Sequence, residues 1–299
     1  MLGILLRRPV RLAMCGGLAL TTLSLAPSAQ ASSRSAWPET GQTAVRVDGT
    51  GNIQTAGPVD TAVPIASVAK VMTAYVVLTD HPLQAEAQGP VITVSTTDSA
   101  DYLHAARTGE STAPVRAGER ITERQALQAM LLPSANNVAR MLARWDAGSV
   151  AEFTARENRT AASLGMTHSS YTDPSGLRPS TVSTAADQLR LARAALQVPA
   201  FAEIVAERQA DVPVAGTVHN TNQLLGYDGV FGVKTGYTSQ AGACLLFAAR
   251  FTGPDGARHI LYGATLGQPG GSKALSSVGG PVDRLVLAAE GKSAERAAP

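Results

Sequence analysis

The chain has 299 residues, 44% of them hydrophobic and 16% charged, an ordinary globular composition that excludes global disorder. Twenty-five basic residues against 23 acidic ones give a formal charge of +2, too small an excess for a nucleic-acid-binding surface. Two cysteines make neither a disulfide scaffold nor a cysteine-based zinc site.

In chain order, Arg7, Arg8 and Arg11 precede an apolar run from Leu12 to Leu25, and Ala29-Gln30-Ala31 follows. Charged flank, apolar middle and A-x-A site describe a secretory signal peptide over residues 1–31. The run is shorter than the ~20 residues a membrane-spanning helix needs. Its removal leaves 22 basic against 23 acidic residues, a charge of −1, and leaves Cys244 without an intrachain partner. Ser-rich residues 32–42 read as a flexible lead-in. Thr43 to Val47 alternates as a strand does, Asp48 to Gly51 supplies a turn, and a second strand starts at Ile53.

Pro64 precedes Val68–Leu78, whose apolar repeat (Val68, Val71, Met72, Tyr75, Val76) predicts a buried helix ended by His81-Pro82. Thr122-x-x-Gln125 is a capping box opening a helix over Glu123–Leu132. Pro133 breaks it, and a second helix runs to about Trp145. Ser149-x-x-Glu152 opens a third, stopped at Gly165, and Ser183 caps a fourth ending near Leu196. Strands return at Val230–Tyr237, Ala243–Phe251 and His259–Ala264, before a last helix over Val282–Ala289 and a charged, disordered tail at 291–299. The N-terminal hairpin and the three late strands are expected to join in one antiparallel sheet, with the central helices as a separate layer.

Only four of the basic residues are lysines: Lys70, Lys234, Lys273 and Lys292. In a chain that otherwise uses arginine, two of the four fall in short polar motifs, which points to lysine-specific roles. Ser67 and Lys70, at i and i+3, share one face at the start of a helix, where the helix N-terminus supplies N–H groups and a positive dipole. A serine beside a lysine whose ordinary pKa of about 10.4 is lowered by burial or a second cation is an activated nucleophile. Serine occurs 22 times, so this pair alone is also what an ordinary helix start contains. Ser134-Ala135-Asn136 sits at the interhelix break, where it can aim a hydroxyl and an amide into a cleft or simply cap a helix. Lys234-Thr235-Gly236 lies on a predicted strand, its lysine suited to a carboxylate and its glycine to close backbone approach.

Each motif occurs once, separated by 67 and 100 residues. Together they resemble the signature of the penicillin-interacting serine enzymes. Among these the chain is similar to the D-alanyl-D-alanine carboxypeptidase family of low-molecular-mass penicillin-binding proteins. The likeness extends over Pro64–Ala74, Leu131–Ala139, Asn220–Leu225 and Gly232–Thr238, with Leu164-Gly-Met and Asp173-Pro-Ser-Gly-Leu, covering about residues 43 to 265. Ala135 stands where family members often have glycine.

The resemblance implies an α/β (α+β), β-lactamase/transpeptidase-like fold: a five-stranded antiparallel sheet flanked by helices, with an all-helical subdomain, in a catalytic domain over 43–290. It implies Ser67 as acylated nucleophile, Lys70 as general base and Ser134 as proton relay to the leaving group. Asn136 would hold the substrate's amide, and Lys234 and Thr235 would bind its C-terminal carboxylate or tune the local field. The backbone N–H groups of Ser67 and Tyr237, beside Gly236, would form the oxyanion hole. The implied partners are peptidoglycan stem peptides and, as covalent inhibitors, β-lactam antibiotics. No metal, cofactor, nucleic acid or stable membrane span is expected, and the protein would act outside the cytoplasm as a monomer. The five histidines lack metal-ligand spacing, and no Gly-x-Ser-x-Gly elbow is present.

Three alternatives stand beside it. A class A-like β-lactamase shares the motifs, but its Glu-x-x-Leu-Asn deacylation element is absent between Asn136 and Lys234, where Glu152, Glu157, Glu203 and Glu207 lie in other contexts. A stable penicilloyl enzyme is therefore expected. A DD-endopeptidase would use the same machinery on cross-linked stems. A non-catalytic cell-wall binding protein predicts a degraded motif, and none is degraded.

Overall fold

The computed structural model describes residues 37–38, 40–49, 52–270 and 279–289. The expected signal peptide and C-terminal tail lie outside these residues. Five strands form the main sheet: β1 (Gln42–Val47), β2 (Gln54–Ala56), β9 (Val230–Thr238), β10 (Gly242–Thr252) and β11 (Arg258–Gln268). Their order is β2-β1-β11-β10-β9, antiparallel throughout. The N-terminal hairpin and the three late strands thus meet in one sheet, and the expected five-stranded architecture is what forms. Gln42, placed in the lead-in on composition, is the first residue of β1, and its side-chain Oε1 accepts from the Ala185 N–H at 3.1 Å.

β10 is apolar on both faces because both are covered. Cys244, Leu246 and Ala248 point into the main core, whereas Leu245, Phe247, Ala249 and Phe251 join a second cluster with Val282, Leu285 and Val286. That period-two split places α8 (Gly279–Ala289) on the sheet's outer face. The inner face meets α1 (Lys70–Asp80), α6 (Ala185–Ala195) and α7 (Pro199–Ala206), α6 on β1 and β11 and α7 on β9. Burial pushes the Cys244 thiol up to about 12, as suits an inert core residue.

The remaining helices are α2 (Thr96–Arg107), α3 (Glu123–Leu131), α4 (Asn136–Ala147) and α5 (Val150–Ser163). They form the helical layer with α1 at its centre. The Thr122/Gln125 capping box on α3 is complete. On α5, Glu152 N–H donates to Ser149 Oγ at 3.1 Å. The cap of α6 is Thr184 rather than Ser183. The Ser183 hydroxyl is drawn instead to Ser169 Oγ at 2.7 Å and Gln188 Nε2 at 3.0 Å.

Short pairs complete the chain: β3 (Val63–Pro64) with β6 (Val182–Ser183), β4 (Val91–Thr93) with β5 (Arg120–Thr122), and β7 (Gln209–Val212) with β8 (Gly216–His219). The edge strand β9 runs beside the turn that precedes α1, so the sheet edge and the helical layer bound one cleft. Among the described residues, no helix is long and apolar enough to cross a membrane.

Candidate active site

Ala66–Ala69 forms a single 3-10 turn that leads directly into α1. Ser67 lies in the turn, half-buried, and Lys70 is the first residue of α1 and fully buried. The i, i+3 spacing puts Lys70 Nζ 2.9 Å from Ser67 Oγ. Nζ also lies 2.7 Å from Asn136 Oδ1 and 2.9 Å from the Ser175 carbonyl oxygen. Burial, then the nearby Lys234 charge, holds the Lys70 ammonium well below its ordinary pKa, against the opposing pull of Asp173.

The break between α3 and α4 carries the second motif. Ser134 adopts a left-handed conformation, φ 68°, and its Oγ is enclosed without a hydrogen-bond partner among the described residues. Asn136 opens α4 with its carboxamide bridging two groups. Oδ1 faces Lys70, and Nδ2 donates to Glu110 Oε2 at 3.1 Å. One Nδ2 proton is therefore engaged inside the protein.

The third motif lies on β9. Lys234 is 2% exposed and its Nζ donates to the Thr235 carbonyl at 3.0 Å; burial lowers its pKa to about 7. Thr235 Oγ1 is 2.7 Å from Thr221 Oγ1, and the Thr221 N–H donates to the Leu132 carbonyl at 3.0 Å. Thr221 thus ties the third motif to the loop that carries the second. A Cβ on Gly236 would lie 3.0 Å from the Ser67 nitrogen, so β9 passes directly against the turn that carries Ser67. Tyr237 follows, 39% exposed at the rim.

The Asp173-Pro-Ser-Gly-Leu stretch supplies the remaining wall. Burial works to raise the Asp173 pKa, but the Ser175 and Thr181 hydroxyls and the Arg178 N–H hold it below the usual range. This carboxylate shapes the loop that presents the Ser175 carbonyl to Lys70. Gly176 has φ 74° and packs so tightly that a Cβ would overlap the Ala66 carbonyl, fixing the loop on the Ser67 turn.

Two groups of the site carry no pattern in sequence: Glu110, which follows α2 on a loop, and the Ser175 carbonyl, a main-chain atom. The glutamates weighed as a deacylation base are otherwise engaged. Glu203 and Glu207 pair with Arg124, and Glu152 lies in the first turn of α5. Glu157 is wholly buried 2.8 Å from Thr73 Oγ1, and burial raises its pKa far above the carboxylate range.

A family model described as D-alanyl-D-alanine carboxypeptidase matches residues 30–258. The chain belongs to that family. Its members are serine-type hydrolases that act outside the cytoplasm on peptidoglycan peptides and bind penicillin. The family fold recurs in the Streptomyces K15 DD-transpeptidase, with a TM-score of 0.71 and 26% identity over 83% of this chain and 95% of that one. It recurs in a D-alanyl-D-alanine carboxypeptidase from Mycobacterium tuberculosis, with a TM-score of 0.70 and 30% identity over 83% and 91%. The D-alanyl-D-alanine endopeptidase of Pseudomonas aeruginosa is 32% identical over 215 residues, 69% of this chain and 66% of the relative. Matches to this and other curated family members span 43% to 73% of those proteins' own lengths.

Proposed function

We propose that this family member is a serine-type D-Ala-D-Ala carboxypeptidase. It removes the terminal D-alanine from peptidoglycan stem pentapeptides through an acyl-enzyme on Ser67, and penicillins acylate the same serine. The observation that carries this reading is the surroundings of Lys70 Nζ. A neutral amine has two N–H groups and one lone pair. The Asn136 and Ser175 oxygens take the two N–H groups, which leaves the lone pair for the Ser67 hydroxyl. Burial lowers the Lys70 pKa well below its ordinary value and so favours the neutral form.

In the reaction, Ser67 Oγ attacks the carbonyl carbon of the penultimate D-alanine as Lys70 takes the hydroxyl proton. The Ser67 and Tyr237 N–H groups receive the oxyanion. The Ser134 hydroxyl passes a proton to the departing D-alanine amine as the C–N bond breaks and takes one back from the Lys70 ammonium, so that Lys70 is neutral again. Lys234 as ammonium, with Thr235, binds the C-terminal carboxylate. Water then cleaves the ester, returning Ser67 and releasing the shortened stem.

The signal-like residues 1–31 fit export of this chain. A second reading, endopeptidase action on cross-linked stems, is favoured by the name of the Pseudomonas relative. Labelling with a fluorescent penicillin tests the nucleophile. The wild type is labelled and Ser67→Ala is not; persistent labelling of the variant would move the nucleophile elsewhere.

A further inference from the structure

The two ends of a carboxamide are nearly the same shape, so partners decide which end faces a neighbour. Asn136 has Lys70 on one side and Glu110 on the other. A carboxylate only accepts hydrogen bonds, so Glu110 claims the NH2 end and turns the oxygen toward Lys70.

Glu110 is itself held firmly. The Oε2 atom that accepts from Asn136 also accepts from Arg140 at 3.0 Å. Arg140 is braced by Asp101 at 2.8 Å. The loop after Glu110 is fastened to α4, since Asn136 N–H donates to the Ser111 carbonyl at 2.8 Å, and Ala113 and Asn137 exchange bonds of 3.1 and 2.9 Å.

We infer that Glu110 is a positioning residue that keeps the lone pair of neutral Lys70 aimed at Ser67 by fixing the orientation of the Asn136 carboxamide. The inference rests on the proposed role of Lys70 as base. Were the amide reversed, its NH2 group would donate into that lone pair, and the amine would no longer accept the Ser67 proton. Once protonated, the ammonium has three N–H groups facing three oxygens, those of Asn136, Ser175 and Ser67, and selects the amide oxygen by itself. Glu110 therefore matters for the neutral lysine, in the acylation step.

The test is the rate of acylation of the full chain by benzylpenicillin across pH, with melting temperatures taken alongside. Glu110→Gln keeps a carbonyl oxygen for Asn136 and Arg140 and is expected to hold the plateau rate within about threefold of wild type. Glu110→Leu and Glu110→Ala remove the acceptor and are expected to lower the plateau about tenfold or more. They also move the acid limb to lower pH, because the reversed amide stabilises the neutral lysine. In an Asn136→Ala background, Glu110→Leu is expected to add no more than about a twofold loss, since no amide remains to orient. Either acceptor-free variant, folded and reacting at the wild-type rate, overturns the inference. So does a Glu110→Gln plateau as low as that of Glu110→Leu, which would assign the effect to charge. A wild-type protein that does not react with penicillin would instead overturn the proposed function.

Discussion

A Cβ built on Gly236 would sit 3.0 Å from the backbone nitrogen of Ser67, so the third motif's glycine sets how closely β9 approaches the Ser67 turn. The same Cβ would be 3.0 Å from the Val68 nitrogen and 3.1 Å from the Ile65 carbonyl oxygen. Alanine here must push β9 away by a few tenths of an ångström. Gly236→Ala is expected to lower kcat/KM about 10- to 100-fold, because small misplacements at a reacting centre are costly. The melting temperature should move by only a few degrees. Unchanged kcat/KM would mean that the separation of β9 from Ser67 does not govern the reaction.

The proposed chemistry needs Lys70 neutral and Lys234 protonated. As pH falls, Lys70 takes a proton and kcat/KM drops, on a limb well below the ordinary lysine range. As pH rises, free-enzyme Lys234 loses its proton near pH 7, giving the alkaline limb of a bell-shaped profile. A bound carboxylate favours the ammonium, so the same limb in kcat lies at higher pH. Lys234→Arg keeps its charge at every accessible pH and is expected to remove the alkaline limb. An unmoved limb would assign it to another group.

Burying Lys234 costs stability. Its pKa is about 7 folded and about 10.4 unfolded. Between those values the unfolded chain binds a proton the folded chain does not, so this group's contribution rises with pH; below about 7 the penalty is complete. Lys234→Met is expected to raise the melting temperature at pH 6 by several degrees, at roughly 2–4 °C per kcal/mol, with the gain shrinking toward pH 10. Calorimetry at the two pH values checks this, and a lower melting temperature at pH 6 would contradict it.

Glu157, wholly buried, has its pKa raised by burial and accepts from Thr73 Oγ1 rather than facing the cleft as a free base. Penicilloyl enzyme is therefore expected to persist for many minutes in mass spectra of the intact protein. Rapid hydrolysis of benzylpenicillin by the purified chain would mean that a deacylation base lies elsewhere in the cleft.

The sheet was legible because its strands alternate or run apolar between clear turns, as Ala243–Phe251 does within β10. The helix α3 was legible because Thr122 and Gln125 cap it reciprocally. The helix α2 escaped notice for a physical reason. Its inward face is ionic, with Asp98 and Asp101 meeting Arg144 and Arg140, so no apolar stripe marks it. The catalytic motifs were readable because each needs particular residue types on one local element. Glu110 and the Ser175 carbonyl were not, since only tertiary folding brings a lone loop glutamate and a main-chain oxygen to the same cleft.

The central claim is that Ser67, activated by Lys70, cleaves the terminal peptide bond of a stem ending in D-Ala-D-Ala. Its most direct test is incubation of the purified chain with a stem pentapeptide and an assay for free D-alanine. The expected result is release of one D-alanine per stem by the wild type and none above background by Ser67→Ala. Equal release by both proteins, or an intact pentapeptide after prolonged incubation with a folded wild-type chain, would contradict it.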